Sequence, residues 1–277
     1  MRLVTFELSG APAVGVRIDD GVVPVDGYPD LLSLIEAGDS GLDAARTAAD
    51  SGTAVQPDRL LAPLRPGKIL CSGVNYASHS EENPDAVMPT EPFFFSKLPS
   101  AVVGPGEPIV IPRPETKTDY EVELAMVIGR RARGLSEASA LDSVFGWTIL
   151  HDVSARDIQF KDNQITLGKN PDTFSPLGPE VVTTDEFGDW SKAHVSTTLN
   201  GETKQSSPTS EMLFTPARLL EFLTALVTLE PGDVVTTGTP AGVGTFRKPP
   251  VYLKPGDEVT VSVDRIGDLT NPVVAGW

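Results

Sequence analysis

Two glutamates separated by one residue lie in the apolar segment 120–128 and are the residues of this chain best placed for chemistry. In a β-strand, Glu121 and Glu123 point to one face and the apolar residues around them to the other, because successive side chains alternate. Adjacent like charges are unfavourable, and burial makes them more so unless a cation lies between them. A hard divalent cation would resolve this conflict. The alternative is an edge strand whose glutamate face is solvated.

A third acid follows a second apolar segment, 148–151, and supplies the remaining ligand of a metal site. Asp152 ends that segment, and a carboxylate at the end of a strand is well placed over a site. Three oxygen ligands with open positions suit Mg²⁺ or Mn²⁺ better than zinc, which prefers histidine or cysteine. The sequence therefore predicts that Glu121, Glu123 and Asp152 hold Mg²⁺ or Mn²⁺.

Two short motifs offer further polar groups. Just after Asp152, a helical turn would place Arg156 and Gln159 near the metal, where they could grip a carboxylate or carbonyl; the alternative is a surface ion pair of Arg156. Upstream, a helical turn would bring Glu82 against His79. A carboxylate that orients an imidazole makes a general base, and the alternative is again a surface pair.

The elements that must position these residues are mainly strands. Alternating residues at the amino terminus predict a small antiparallel sheet, two helical segments follow, and segment 55–67 reads as an extended connector. From residue 68 onward, short β-branched segments alternate with Pro and Gly, and one clear helix begins at Thr215 and Pro216. We predict an α+β, predominantly β fold, with a small amino-terminal domain at residues 1–65 and a catalytic domain at residues 66–277.

The composition excludes several classes of partner. Among 277 residues, 38 are acidic and 22 basic, and the net charge of −16 would repel nucleic acid and an anionic membrane surface. Cys71 is the single cysteine, which rules out an intrachain disulfide and a thiolate zinc cluster. No segment reaches the roughly 20 apolar residues of a membrane span, and the amino terminus does not resemble a signal peptide. These features predict a cytoplasmic protein without nucleic-acid or membrane partners.

Several motifs, taken together and in order, resemble the fumarylacetoacetate hydrolase family. They are Gly73-Val74-Asn75-Tyr76, His79, YEVELAMVIG, HDVSARDIQ, Gly168-Lys169, FSPLGP, LNGE with Gln205, and TTGTPAGVG. The resemblance covers roughly residue 68 to the carboxyl terminus and implies the family's mixed β-sandwich or roll as the catalytic domain. One position departs from the founding hydrolase type, which places a further metal-ligating Asp where this chain has Ser72. The chain is more similar to the acylpyruvase and oxaloacetate decarboxylase branch.

The resemblance also implies roles for individual residues. The family's metal ligands correspond to Glu121, Glu123 and Asp152. Its water-activating pair corresponds to His79 and Glu82, and its active-site lysine corresponds to Lys169. Positions that contact substrate in relatives fall on Arg156, Gln159 and Thr239. Relatives are commonly homodimers, which implies a homodimer here.

The activity that these residues predict begins with a small 2-oxo acid bound to the metal. We hypothesise that the metal chelates a 2,4-dioxo acid through its carboxylate and 2-oxo oxygen, giving a metal-bound enolate. His79, assisted by Glu82, would activate a water to cleave a C–C bond of an acylpyruvate or fumarylpyruvate, while Lys169 steadies the oxyanion. The alternatives are an oxaloacetate decarboxylase, a 2-hydroxymuconate-type isomerase or tautomerase, and a metal-stabilised binding protein without turnover.

Overall fold

The computed structural model describes residues 1–82, 88–161 and 163–276. The strands are β1 (Arg2–Leu8), β2 (Ala11–Ile18), β3 (Gly21–Pro24), β4 (Arg59–Leu60), β5 (Ile69–Ser72), β6 (Phe94–Lys97), β7 (Val102–Val103), β8 (Ile109–Ile111), β9 (Thr118–Asp119), β10 (Val122–Ile128), β11 (Val144–His151), β12 (Ser154–Ala155), β13 (Ser175–Thr183), β14 (His194–Leu199), β15 (Glu202–Pro208), β16 (Val234–Thr236), β17 (Glu258–Val263) and β18 (Gly267–Ala275). The α-helices are α1 (Leu31–Glu36), α2 (Asp39–Ser51), α3 (Ala77–Glu82), α4 (Glu137–Ala140), α5 (Arg156–Gln159), α6 (Thr166–Lys169), α7 (Thr184–Phe187) and α8 (Pro216–Leu226).

A large mixed sheet carries the predicted metal ligands. Within the described residues it contains eleven strands, nine of them in the order β3-β2-β1-β13-β11-β10-β16-β5-β6, with β4 beside β1 and β7 beside β13. A second sheet has the order β15-β14-β17-β18-β8, and β9 pairs with β12. The fold is therefore predominantly β with short helices, as the sequence predicts.

The core lies on both faces of the large sheet. On one face, Leu124 of β10 belongs to the same buried cluster as Val261 of β17, so the two sheets pack as a sandwich. On the other face, Ala125 of β10 shares a cluster with Leu34 of α1. Both faces of β10 are thus covered, which explains why its residues are apolar almost throughout.

The amino-terminal strands form the antiparallel sheet that their alternating residues predict. β1 pairs with β2, and β2 pairs with β3, each antiparallel. β1 also pairs with β13, so the large sheet continues from this segment into the rest of the chain. The division of the chain at residue 65 stays a prediction.

Candidate metal centre and active site

The three predicted metal ligands converge at one end of β10 and β11. Glu123 pairs with Leu150 across the two strands, and Asp152 follows β11 directly, with its amide donating to the carbonyl of Glu121 at 2.9 Å. One carboxylate oxygen from each acid lies within 4.8 Å of the others. All three residues are buried, and β10 lies between β11 and β16. The alternative of a solvated edge strand is therefore excluded.

Three buried cations surround the acids. Lys169 Nζ bridges Glu121 Oε2 at 2.7 Å and Asp152 Oδ2 at 2.6 Å, and Lys97 Nζ lies 2.6 Å from Asp152 Oδ1. Arg156 donates to Glu121 Oε1 at 2.5 Å, and both side chains are buried, so the alternative of a surface ion pair does not hold. Glu123 is the member of the triad with no ion pair to any described Lys or Arg; the amide of Gly238 donates to it at 3.3 Å.

The two glutamates consequently differ in acidity. Burial alone would raise the pKa of Glu121, but the positive charges of Arg156 and Lys169 hold it well below its usual value. Burial raises the pKa of Glu123 well above its usual value, and the negative charges of Asp152 and Glu121 raise it further. Glu123 is the carboxylate that most needs an additional cation.

This donor set fits a hard divalent cation. The ligands are carboxylate oxygens, which Mg²⁺ and Mn²⁺ prefer, and a bound ion would supply the positive charge that Glu123 lacks. The oxygens of Glu121 and Asp152 that already accept from lysine or arginine each have a second lone pair, so the existing ion pairs do not exclude a metal. The triad can hold such an ion.

His79 and Glu82, both on α3, form the predicted pair. Nδ1 of His79 lies 2.7 Å from Glu82 Oε1, and the other carboxylate oxygen of Glu82 accepts from the amide of Gly242 at 2.8 Å. Glu82 is thus fixed at both oxygens and orients the imidazole. The acids and three prolines of segment 80–92 predict a loop that could close over the site and carry Glu82 into place. Residues 80–82 belong to α3, and residues 83–87 lie outside the described residues.

Gln205 connects Thr239, a predicted substrate-binding residue, to β10, the strand that contains Glu123. Its amide nitrogen donates to Thr239 Oγ1 at 2.8 Å, and its amide oxygen accepts from the backbone of Val122 at 3.1 Å and from Thr197 Oγ1 at 2.8 Å. Gln159 Oε1 accepts from Arg156 at 3.0 Å. Thr239 and Gln159 are therefore held by neighbours that also contact the metal site.

A cavity of about 100 Å³ brings these groups together. Of the nine residues predicted to act, seven line it, whereas Asp152 and Glu82 lie behind the lining and pair with Lys169 and His79. The full lining is Ser72, Gly73, Val74, His79, Phe93, Phe95, Glu121, Glu123, Arg156, Gln159, Ile165, Lys169 and Thr239. Ser72, where the founding hydrolase type has a metal-ligating Asp, is thus a cavity residue without a carboxylate.

Sequence reasoning missed two charged residues that support the site. Lys97, at the end of β6, is fully buried and also donates to the carbonyl of Val153 at 3.1 Å. Asp119 accepts from Arg156 Nε at 2.8 Å and from the amides of Gly244 and Thr245 at 2.7 and 3.0 Å. A lysine that ends the apolar segment FFFSK was the one local signal for Lys97.

His151 adds no charge to the site. The imidazole is buried, and neither ring nitrogen has a hydrogen-bond partner among the described residues. Burial, with a smaller effect of the Lys97 charge, lowers the pKa of His151 to about 3. The side chain is therefore neutral near pH 7.

Comparison with known proteins shows the family to which this chain belongs. Residues 68–274 match the model of the family described as "Fumarylacetoacetate (FAA) hydrolase C-terminal". The chain belongs to the fumarylacetoacetate hydrolase family. Over 289 residues it is 43% identical to a Xenopus laevis protein named "Oxaloacetate tautomerase fahd2, mitochondrial", with 99% of this chain and 90% of that protein covered.

Solved structures of the fumarylacetoacetate hydrolase family share the whole fold. A fumarylacetoacetate hydrolase from Exiguobacterium antarcticum has a TM-score of 0.87 and 39% identity, covering 99% of each chain. Maleylpyruvate hydrolase from Sphingobium sp. SYK-6, in complex with a manganese(II) ion and pyruvate, has a TM-score of 0.83 and 28% identity over 100% of both chains. Relatives of this chain are thus enzymes of more than one reaction type, and one of them holds a divalent metal.

Proposed function

We propose that this protein is a divalent-metal-dependent tautomerase that interconverts the keto and enol forms of oxaloacetate. The observation that carries the proposal is the shared cavity: the imidazole of a His–Glu pair and a buried carboxylate triad line the same space of about 100 Å³. The name of the Xenopus laevis relative, 43% identical to nearly all of this chain, supports oxaloacetate as the substrate.

A metal at the triad would act as a Lewis acid that polarises the 2-oxo group and so acidifies the proton on C3. We assign His79, which lines the cavity, as the base that removes this proton. When Nδ1 carries its proton and donates to Glu82, Nε2 retains a lone pair, and Nε2 has no protein partner among the described residues. The C3 proton moves to Nε2, and protonated His79 then acts as the acid that returns a proton to the 2-oxo oxygen.

Two cations and one amide would position the substrate. The ammonium of Lys169 stabilises negative charge that develops on the 2-oxo oxygen. Arg156 presents Nη1 toward Gln159, and both side chains line the cavity, where they can bind a carboxylate. Tautomerisation moves one proton from C3 to the 2-oxo oxygen, so the site does not have to bind and orient a water molecule.

A second candidate is hydrolysis of a C–C bond in a 2,4-dioxo acid such as an acylpyruvate or fumarylpyruvate. The His79–Glu82 pair favours it, because an oriented imidazole can also activate water. A relative with 28% identity is named maleylpyruvate hydrolase. Decarboxylation of oxaloacetate and isomerisation of a 2-hydroxymuconate need the same metal and cations, and they remain predictions.

An assay with four substrates separates these activities. Purified protein is mixed with Mg²⁺ or Mn²⁺ and with oxaloacetate, acetylpyruvate, fumarylpyruvate or a 2-hydroxymuconate, and enol absorbance and released pyruvate are followed. We expect faster loss of the oxaloacetate enol without stoichiometric pyruvate, and loss of this activity with chelator. Pyruvate release from the dioxo acids would favour the hydrolase, and metal binding without turnover of any substrate would favour a binding protein.

A further inference from the structure

The cavity has a buried polar floor and a partly exposed apolar mouth. The carboxylates of Glu121 and Glu123 and the ammonium of Lys169 are at most 5% exposed, whereas Phe93 is 49% exposed and Ile165 is partly buried. If the proposed function is correct, a 2-oxo acid binds the floor through its carboxylate and 2-oxo oxygen. Its substituent on C3 then extends toward Phe93 and Ile165, which we call the rim.

The ring of Phe93 occupies the space that a side chain at position 73 would need, and that position is a glycine. A Cβ added to Gly73 would lie 1.8 Å from Cζ of the Phe93 ring, and the Gly73 amide donates to the Phe93 carbonyl at 3.0 Å. The ring therefore rests directly on the backbone of Gly73 and cannot retreat in that direction. A bulky substituent that reaches this side of the mouth would collide with a supported ring.

Ile165 is held in a conformation that β-branched residues rarely adopt. Its φ of 53° lies in the left-handed region, and it precedes α6, which carries Lys169. A Cβ at Gly168 would lie 2.6 Å from the backbone of Gln159, so α5 and α6 are tightly docked and the chain must turn sharply between them. This turn brings Ile165 to the cavity, where a glycine or asparagine would fit the backbone more easily.

We propose that the rim, Phe93 together with Ile165, determines substrate specificity by limiting the size of the substituent on C3 of the bound 2-oxo acid. Small substituents fit between the two side chains, and an aromatic ring does not. This role explains why an isoleucine occupies a position with an unfavourable backbone conformation: a smaller residue at position 165 would widen the mouth of the cavity.

The test compares binding of pyruvate and phenylpyruvate, which differ only by a phenyl group on C3. Dissociation constants are measured by calorimetry with saturating Mg²⁺ for the wild type, Ile165→Gly and Phe93→Ala. Glycine adopts the backbone conformation of Ile165 readily, so Ile165→Gly should keep the fold. The control is Leu167→Ala, since Leu167 lies on α6, is 70% exposed and does not line the cavity.

We expect both rim variants to bind phenylpyruvate about tenfold more tightly than the wild type, the effect of relieving one steric clash in a pocket. Pyruvate has only a hydrogen where phenylpyruvate has its ring, so its dissociation constant should change less than that of phenylpyruvate. Leu167→Ala should match the wild type for both ligands. A ratio of the two dissociation constants that stays at the wild-type value in either rim variant would overturn the role of the rim and would leave the proposed function in place. A wild type that binds neither pyruvate nor oxaloacetate at saturating Mg²⁺ would overturn the proposed function and this inference with it.

Discussion

At the scale of single residues, the site is a cluster of opposite charges withdrawn from water. Among the described residues, the buried acids Asp119, Glu121, Glu123 and Asp152 face the buried cations Lys97, Arg156 and Lys169. When all are ionised, the cluster carries one net negative charge. A divalent cation would reverse this sign, so that an otherwise acidic protein could attract an anionic substrate at this point.

Replacing Lys97 should show how much the folded state depends on this balance. Lys97→Met removes the partner of Asp152 Oδ1 and leaves a buried carboxylate less compensated, so we expect a loss of about 3–5 kcal/mol in the free energy of unfolding. Urea titration in the presence of chelator measures it. Lys192→Met is the control, because Lys192 is 71% exposed in its pair with Asp189 and should cost less than about 1 kcal/mol. Equal losses in both variants would contradict the expectation.

Replacing His79 should separate chemistry from metal binding. His79 pairs with Glu82 and contacts no acid of the triad by a hydrogen bond or ion pair within the described chain. We therefore expect His79→Ala to lower kcat for oxaloacetate tautomerisation by about 10²–10⁴-fold and to leave Mn²⁺ affinity unchanged. Stopped-flow absorbance gives the rate. A kcat within threefold of the wild type would remove His79 from the mechanism.

At the scale of elements, the helix α8 shows what local sequence can establish. Thr215 and Pro216 predict its start, and the structure has Thr215 Oγ1 accepting from the amide of Arg218 at 3.1 Å with Pro216 as the first helical residue. Thr215→Ala should cost about 1 kcal/mol of stability, since one orphan amide loses its partner. Denaturant midpoints measure the loss, and Thr215→Ser, which keeps a hydroxyl, should lie close to the wild type. Two variants of equal stability would show that this cap contributes nothing.

The sequence predicted features of the site that depend on neighbouring residues, and it did not predict contacts between residues that are far apart in the chain. Alternation around Glu121 and Glu123 predicted a strand with both acids on one face, and β10 contains Glu123 and begins one residue after Glu121. The three-residue spacing of His79 and Glu82 likewise predicted their contact. Lys97, by contrast, meets Asp152 across 55 residues of sequence, and no local pattern indicates such a pair. Asp119 and Gly244 are 125 positions apart in the sequence, and no local pattern indicates their hydrogen bond either.

At the scale of the whole molecule, the net charge of −16 favours cations over anions at long range. No described helix is long and apolar enough to cross a membrane. The cytoplasmic location, the homodimer, the small 2-oxo acid as partner and the absence of nucleic-acid partners stay predictions. The fold covers the interior strand β10 on both faces, and Glu123 on this strand and Glu121 directly before it line a cavity.

The most direct test of this account is a titration of the metal-free protein with Mn²⁺, in which free Mn²⁺ is counted by electron paramagnetic resonance. We expect one tightly bound ion per chain in the wild type. In Glu123→Gln, which removes the carboxylate without a Lys or Arg partner among the described residues, affinity should fall by at least tenfold. A wild type that binds no Mn²⁺, or a variant that binds it as tightly as the wild type, would contradict a metal centre at Glu121, Glu123 and Asp152.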